Sequence, residues 1–252
     1  MGTIAVIPAR FQSKRLPGKP LAELLGKTMV ERVYERACAA QLVDRVLVAT
    51  DDTRIRDVVT GFGGEAVMTS PSHPSGSDRI AEAVQGLDVE LVVNVQGDEP
   101  LIEPGAIDDA IGLAQETPGA IVSLETAIVD REALLDPNVV KVVTDRRGFA
   151  LYFSRSPLPF PPLGELPADV YHKHIGLYVY PRDVLTKLTR MEPSPLEIAE
   201  RLEQLRALEN GIPIRLKDTE YDAVAVDTPA DLARVRSILG KQASRVTVDQ
   251  KP

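Results

Sequence analysis

The segment Ile4–Pro20 reads I-A-V-I-P-A-R-F-Q-S-K-R-L-P-G-K-P and predicts a buried strand that runs into a rigid cationic loop. The loop places Arg10, Lys14, Arg15 and Lys19 within ten residues, whereas the whole chain has a net charge of −8. Open α/β sheets bind their ligands at the carboxyl ends of strands. We therefore interpret the loop as a binding site for a polyphosphate rather than as a solvated basic turn.

The composition is typical of a globular protein that neither binds nucleic acid nor spans a membrane. A chain of 252 residues that is 44% hydrophobic can bury a substantial core. The excess of acidic residues argues against nucleic acid and membrane surfaces as partners, and no apolar run approaches the length of a membrane span. The single cysteine, Cys38, cannot form an internal disulfide and is expected to be buried on a helix. We therefore expect a cytoplasmic protein.

Strands and helices alternate along the first part of the chain. Arg45–Thr50, Glu65–Met68 and Leu91–Gln96 each read as strands, with helical patterns between them. Gly97, directly after the third of these, permits a tight or left-handed backbone. This alternation predicts an α/β fold with a Rossmann-like, doubly wound, mixed and mostly parallel sheet.

Two aspartates follow predicted strands and are candidate metal ligands. Asp98 precedes a helix that begins only after Pro104, so the carboxylate is too early in the chain to cap that helix. Asp227 follows the predicted strand Asp222–Val226, and its neighbour Thr228 serves as the cap of the next helix. Carboxylates at the strand edge that also carries a phosphate loop are suitable ligands for Mg²⁺.

Two segments carry signals for the start of a helix. The polar loop 69–79 leads into a helix predicted from Ile80, and this loop is either an anion or base-edge pocket or a capped surface turn. Ser194 and Pro195 predict an N-cap and first helical position, with the helix running to Asn210.

The domain organisation is predicted from a change in pattern near residue 120. Val139–Thr144 and Phe149–Phe153 are expected to form a hairpin. We expect one domain over 1–240, within which 120–215 is a smaller mixed insertion that covers the sheet and forms a homodimer. Residues 241–252 are expected to be a frayed polar tail.

Sequence blocks between residue 4 and about residue 236 resemble those of the CMP-KDO synthetases. These are the 3-deoxy-manno-octulosonate cytidylyltransferases of Gram-negative lipopolysaccharide biosynthesis. The matching blocks are I-P-A-R-F-Q-S-K-R-L-P-G-K-P-L, S-G-S-D-R, N-V-Q-G-D-E-P, K-V-V-T-D with A-L-Y-F-S-R, H-I-G-L-Y-V-Y, P-S-P-L-E with L-E-Q-L-R, and V-D-T-P-A-D-L. The first block alone would indicate only a nucleotidyltransferase, and the combination is far more specific.

The resemblance implies transfer of a cytidylyl group from CTP to the anomeric hydroxyl of 3-deoxy-D-manno-octulosonate (KDO), with release of pyrophosphate and with Mg²⁺ as cofactor. It implies catalytic roles for Arg10, Lys19, Asp98 and Asp227, of which Asp98 and Asp227 would hold the metal. It implies nucleotide binding by Arg10, Lys14, Arg15, Lys19, Ser75, Gly76, Arg79 and Gln96. It implies a sugar pocket formed by Arg155, His174, Tyr178, Glu203 and Gln204, in which Arg155 and His174 are counter-charges for the KDO carboxylate.

Two alternatives stay open. A related sugar nucleotidyltransferase would use sialic acid, a hexose phosphate or an amino analogue of KDO, and Phe11 and Phe160 depart from the aromatic residues common in the family. A catalytically silent nucleotide-binding module would have lost a loop cation or a metal carboxylate. A redox Rossmann enzyme is disfavoured because no G-x-G-x-x-G follows the first strand.

Overall fold

The described residues of this computed structural model are 2–12, 15–162, 164–167 and 169–249, and for residues 243–249 only the backbone is described. They divide into two units. The first unit consists of residues 5–85, 95–104 and 223–249, and the second of residues 2–4, 86–94 and 105–222. The segment predicted as an insertion, 120–215, lies inside the second unit.

The first unit contains the cationic loop and the strands that precede and follow it. Its elements are β1 (Thr3–Ala9, of which the first two residues belong to the second unit), a 3-10 turn at Lys19–Leu21, β2 (Glu23–Leu24), β3 (Lys27–Thr28), α1 (Met29–Cys38), β4 (Arg45–Thr50), α2 (Thr53–Gly61), β5 (Ala66–Met68), α3 (Gly76–Ala83) and α9 (Pro229–Asp249). β4 and β5 are parallel, with Val48 opposite Ala66. β2 and β3 form a separate small antiparallel sheet.

Local sequence explains where helix α1 begins. Thr28 accepts a hydrogen bond from the backbone N–H of Glu31 at 3.3 Å and so caps the first turn. Buried apolar residues such as Val33 and Ala37 then recur at helical spacing. Cys38, predicted to be buried, is exposed because it ends the helix just beyond this stripe.

Helix α3 begins four residues before the predicted start at Ile80. The Ser75 hydroxyl accepts from the N–H of Asp78 at 3.1 Å, and the Asp78 carboxylate accepts from the N–H of Ser75 at 3.2 Å. This reciprocal capping box draws Gly76 into the first turn. Part of the predicted loop 69–79 is therefore helical.

The C-terminal part of the first unit differs from its prediction in two ways. The described residues of Asp222–Val226 form no strand, and Val226 is instead buried in a cluster with Leu24, Met29 and Val235. Helix α9 continues as far as Asp249, into the segment 241–252 that was predicted as a frayed tail. The buried stripe of α9 packs against this cluster, which anchors the chain segment that carries Asp227.

The second unit is built around one long strand. Its elements are β6 (Leu91–Asn94), α4 (Pro104–Glu116), β7 (Ile121–Ala127), α5 (Arg131–Leu135), β8 (Lys141–Thr144), β9 (Ala150–Ser154), β10 (His172–Pro181), α6 (Arg182–Leu188), α7 (Pro195–Glu200), α8 (Gln204–Glu209) and β11 (Ile214–Asp218). β10 pairs antiparallel with β6, β7 and β8, while β11 pairs parallel with β7. The predicted hairpin is confirmed as β8 and β9.

The helix predicted from Pro195 to Asn210 is interrupted. Arg201 adopts a left-handed conformation with φ 56°, which ends α7 and allows α8 to start at Gln204. The apolar residues of this segment recur at helical spacing across Arg201, so the sequence pattern gave no sign of the break between α7 and α8. Among the described helices, none is long and apolar enough to cross a membrane.

Candidate functional site

One ammonium group joins the two predicted metal carboxylates. Lys19 Nζ donates to Asp98 Oδ2 at 2.6 Å and to Asp227 Oδ1 at 3.1 Å. Arg15 Nη2 lies 2.9 Å from the other oxygen of Asp227. The structure thus brings together four residues that the sequence assigned to one site.

Backbone contacts explain why these segments meet. The N–H of Val226 donates to the carbonyl oxygen of Asp98 at 2.9 Å. Gly97 packs against β1 so closely that a Cβ there would lie 2.9 Å from the Pro8 carbonyl oxygen. Its φ lies outside the left-handed region, so close approach rather than an unusual conformation requires glycine here.

The cap of α9 leaves the carboxylate of Asp227 directed at the cations. Asp231 Oδ2 accepts from the N–H of Thr228 at 2.8 Å, and the Thr228 hydroxyl accepts from the N–H of Asp231 at 3.2 Å. Asp231 Oδ2 also accepts from the N–H of Asp227 at 3.1 Å. The predicted capping by Thr228 is confirmed, with Asp231 as its partner.

Charge keeps Lys19 protonated. Burial by itself would lower the pKa of Lys19, but the charges of Asp98 and Asp227 and the hydrogen bonds to them raise it above its ordinary value. Within the part of the chain that the structure describes, no group of three or more His, Cys, Asp or Glu side chains could hold a metal ion. A metal at Asp98 and Asp227 would therefore need further oxygens from a ligand or from water.

A cavity of about 280 Å³ adjoins this cluster. It is lined by Pro8, Ala9, Arg10, Gln12, Lys19, Pro20, Gly76, Gln96, Gly97 and Asp98. Arg10 Nη2 donates to the carbonyl oxygens of His73 and Ser75, at 2.9 and 2.7 Å. Arg10 therefore also fixes the chain segment that leads into α3. The cavity offers two cations, one carboxylate and two side-chain amides to a small polar ligand.

The remaining predicted nucleotide residues have different surroundings. Lys14 lies outside the described residues. The Ser75 hydroxyl caps α3. Arg79 is completely buried, and its guanidinium donates to the Thr69 hydroxyl and forms an ion pair with Asp51 at 3.1 Å. Arg79 thus holds the segment after β4 to the segment after β5, and its contact with a nucleotide stays a prediction.

In the second unit, two predicted sugar residues on β10 are in contact. The rings of His174 and Tyr178 lie 5.2 Å apart, and His174 Nε2 is 2.9 Å from the Ser123 hydroxyl. Burial lowers the pKa of His174 to about 3, and burial raises that of Tyr178, with Tyr180 and Glu203 adding to the rise. Burial therefore favours the neutral imidazole of His174, which argues against its predicted role as a counter-charge.

Arg155 is the positively charged residue of the predicted sugar group, and neighbouring groups fix its backbone and guanidinium. Its Nε donates to the Glu200 carbonyl oxygen at 2.9 Å and its Nη1 to the Pro137 carbonyl oxygen at 3.0 Å. The Glu200 carboxylate accepts from the Arg155 N–H at 2.9 Å, and buried Lys141 donates to the Arg155 carbonyl oxygen. Neither Glu200 nor Lys141 is marked as a site residue by any local sequence pattern.

The comparisons with known proteins agree with one another. The Cytidylyltransferase family model matches residues 4–218. The 3-deoxy-manno-octulosonate cytidylyltransferase of Syntrophotalea carbinolica is 53% identical over 249 residues, which cover 95% of this chain and 99% of the relative. This chain belongs to the 3-deoxy-manno-octulosonate cytidylyltransferase family. The family protein of Geobacter sulfurreducens is 52% identical over 93% of this chain and 98% of its own length.

Solved structures confirm the fold class. The structure of CMP:2-keto-3-deoxy-manno-octonic acid synthetase complexed with CTP matches with a TM-score of 0.91 at 42% identity, over 96% of this chain and all of that one. A cytidylyltransferase from Leptospira borgpetersenii has a TM-score of 0.62 at 16% identity, which reflects the fold alone. The predicted α/β fold with a mixed, mostly parallel sheet of nucleotidyltransferase type is confirmed.

Proposed function

We propose that this chain transfers the cytidylyl group of CTP to the anomeric hydroxyl of KDO and releases pyrophosphate. Membership of the family supports the choice of reaction. The observation that carries the proposal is the convergence of Asp98 and Asp227 on Lys19 beside a cavity lined by Arg10. A nucleoside triphosphate and a metal need this combination of cations and carboxylates.

In the proposed reaction, the anomeric oxygen of KDO attacks the α-phosphorus of CTP. The bond between the α-phosphorus and the oxygen that bridges it to the β-phosphate breaks, and the hydroxyl proton leaves to solvent. No protein nucleophile is required, so the protein contributes alignment and charge stabilisation. Arg10, Lys14, Arg15 and Lys19 neutralise the charge of the triphosphate and of the departing pyrophosphate. Ser75, Gly76, Arg79 and Gln96 are proposed to form the cytidine pocket or to support it.

Asp98 and Asp227 are proposed to hold Mg²⁺. Both are carboxylates that reach a common cation, which fits the oxygen ligands that this metal prefers. Bound there, Mg²⁺ would supply charge neutralisation at the phosphate and a lower pKa for the attacking hydroxyl. Two protein ligands leave coordination positions for phosphate oxygens and water.

The acceptor is proposed to bind in the second unit at Arg155, His174, Tyr178, Glu203 and Gln204. Arg155 is the positive group for the KDO carboxylate. Neutral His174 contributes a hydrogen bond instead, because burial lowers its pKa to about 3. Whether His174 acts as a charge or as a hydrogen-bonding group affects acceptor specificity, because a polar pocket rejects acceptors that leave its hydrogen-bonding groups unpaired.

We also propose that the chain acts as a homodimer in the cytoplasm. Large apolar side chains in the second unit, including Phe160 at 90% and Val129 at 86% exposure, would be covered by a second copy. Light scattering coupled to gel filtration tests the mass, and a single-chain mass at 50 μM would contradict the dimer.

A pyrophosphate-release panel tests the reaction. The protein is incubated with Mg²⁺ and CTP, ATP, GTP or UTP, together with KDO, 8-amino-KDO, sialic acid or glucose 1-phosphate. We expect release only with CTP and KDO, and a product with the mass of CMP-KDO. Preference for 8-amino-KDO or sialic acid would favour the related transferase, and no release with any pair would favour the silent module.

A further inference from the structure

The ammonium of Lys19 lies between the oxygens that the proposed function assigns to the metal. The Lys19 side chain is 16% exposed, and its two contacts, at 2.6 and 3.1 Å, use one oxygen of Asp98 and one of Asp227. Lys19 follows the turn at Gly18, whose N–H donates to the Phe11 carbonyl oxygen at 3.0 Å and closes the loop. The ammonium is therefore delivered to the carboxylates by a hydrogen-bonded backbone.

We propose that Lys19 and a divalent cation compete for Asp98 and Asp227, so that the cation binds this pair tightly only after a polyphosphate has drawn the ammonium away. The inference rests on the proposed function, because it takes the two carboxylates as the metal ligands. The ammonium and the metal ion compete because both are positively charged and both need the same carboxylate oxygens. An ammonium hydrogen-bonded to an oxygen uses the electron density that a metal would coordinate, and it repels the incoming metal.

The position of Lys19 makes the exchange available without a large movement. Lys19 lines the same cavity as Arg10 and Asp98. Phosphate oxygens entering that cavity offer the ammonium new acceptors while their negative charge favours the metal. Arg15 also contacts Asp227, but its side chain is 63% exposed, so water screens its charge more strongly.

The exchange has a thermodynamic consequence. If CTP relieves the contact between Lys19 and the carboxylates, CTP raises the affinity for the metal, and the metal raises the affinity for CTP by the same factor. Lys19 is then the residue that couples the two ligands. It would keep the protein from holding a divalent ion on these carboxylates without substrate.

Binding of Mn²⁺ alone, followed by the loss of its free electron paramagnetic resonance signal, tests the competition without any turnover. We expect Lys19→Met to bind Mn²⁺ at least tenfold more tightly than the wild type in the absence of nucleotide. Lys19→Arg keeps the charge and is expected to bind as weakly as the wild type. Lys27→Met removes the same charge from an exposed lysine outside the cluster and is expected to change nothing.

Equal Mn²⁺ affinities for the wild type and Lys19→Met, both folded by circular dichroism, would overturn the inference. A gain in Lys27→Met as large as that in Lys19→Met would also overturn it, because net charge alone would then explain the effect. Adding Asp98→Asn to Lys19→Met separates this inference from the proposed metal site. We expect the added substitution to abolish the tight binding.

The metal assignment itself is tested in the presence of CTP. If Asp98→Asn weakens Mn²⁺ binding to the CTP complex while Lys19→Met binds like the wild type without CTP, the inference fails and the proposed function stands. If Asp98→Asn has no effect on Mn²⁺ binding in either state, the metal assignment fails together with the inference.

Discussion

The backbone N–H of Val226 donates to the carbonyl oxygen of Asp98 at 2.9 Å, and this bond joins two segments that are far apart in the sequence. It brings the next residue, Asp227, to the side of Asp98, where both carboxylates reach Lys19. Because a backbone bond sets this arrangement, the side chain of either aspartate can change without separating the segments.

Asp98→Asn is therefore expected to lower turnover by about a thousandfold or more while the fold remains intact. The amide keeps the size of the side chain but removes the charge that a metal needs. Pyrophosphate release at saturating Mg²⁺ measures turnover, and thermal unfolding measures the fold. Asp57→Asn, at an exposed position on α2, is the matched control. Near-normal turnover in Asp98→Asn would remove this residue from the metal site.

Arg79→Met is expected to lower the free energy of unfolding by about 3 kcal/mol, because it leaves Asp51 without the buried cation that pairs with it. The double variant Arg79→Met/Asp51→Asn is expected to recover part of this loss. Urea unfolding of the four proteins measures the coupling. Losses that simply add would show that Arg79 acts through packing and not through Asp51.

Glu125 gives stability a pH dependence of known sign. It is 4% exposed, and burial together with the charge of Asp218 raises its pKa from 4.5 to about 7. A carboxyl group whose pKa is higher in the folded than in the unfolded protein favours the folded state while it is protonated. This stabilisation is complete at pH values below the unfolded pKa, and it is lost as the pH rises through the folded pKa of about 7. The protonated carboxyl is the form that the fold tolerates.

Glu125→Gln removes this titration, so the variant is expected to gain stability relative to the wild type as the pH rises. The difference in free energy of unfolding, variant minus wild type, is expected to be about 3 kcal/mol larger at pH 8 than at pH 4.5. Urea unfolding at a series of pH values measures the difference, with exposed Glu132→Gln as control. A constant difference between the two proteins from pH 4.5 to pH 8 would mean that Glu125 does not titrate in this range.

Glu200→Ala is expected to raise the KM for KDO about tenfold while the KM for CTP stays unchanged. The Glu200 carboxylate accepts from the Arg155 N–H at 2.9 Å and from the Ser154 hydroxyl at 2.6 Å, so it fixes the backbone that carries the proposed carboxylate-binding group. Steady-state kinetics with each substrate varied gives both constants. The matched control is Glu192→Ala, at an exposed position. Equal changes in both KM values, or a similar effect of the control, would indicate a general structural defect.

Local signals allowed much of the fold to be predicted. The strand Arg45–Thr50 has the predicted bounds because apolar β-formers end at polar residues there. The Thr28 cap and the β8–β9 hairpin also depend on neighbouring residues alone. The cluster of Lys19, Asp98 and Asp227 followed from the rule that ligands bind at the carboxyl ends of strands.

The errors lie where long-range contacts override local pattern. Asp222–Val226 has strand composition, but Val226 is buried by helix α9, and its N–H bonds to Asp98 instead of a neighbouring strand. The helix break at Arg201 depends on a left-handed backbone conformation, and no glycine marks it. The ion pair of buried Arg79 with Asp51 is likewise a long-range contact that no local pattern indicates, and the contact of Arg79 with a nucleotide stays a prediction.

The most direct test of the shared metal site is a double-mutant cycle on kcat/KM at saturating Mg²⁺, with Asp98→Asn, Asp227→Asn and the double variant. If one metal ion needs both carboxylates, either substitution alone removes most of the activity, and the double variant is scarcely worse than the poorer single variant. If the two losses multiply, each aspartate acts independently, and the two carboxylates do not share one ion.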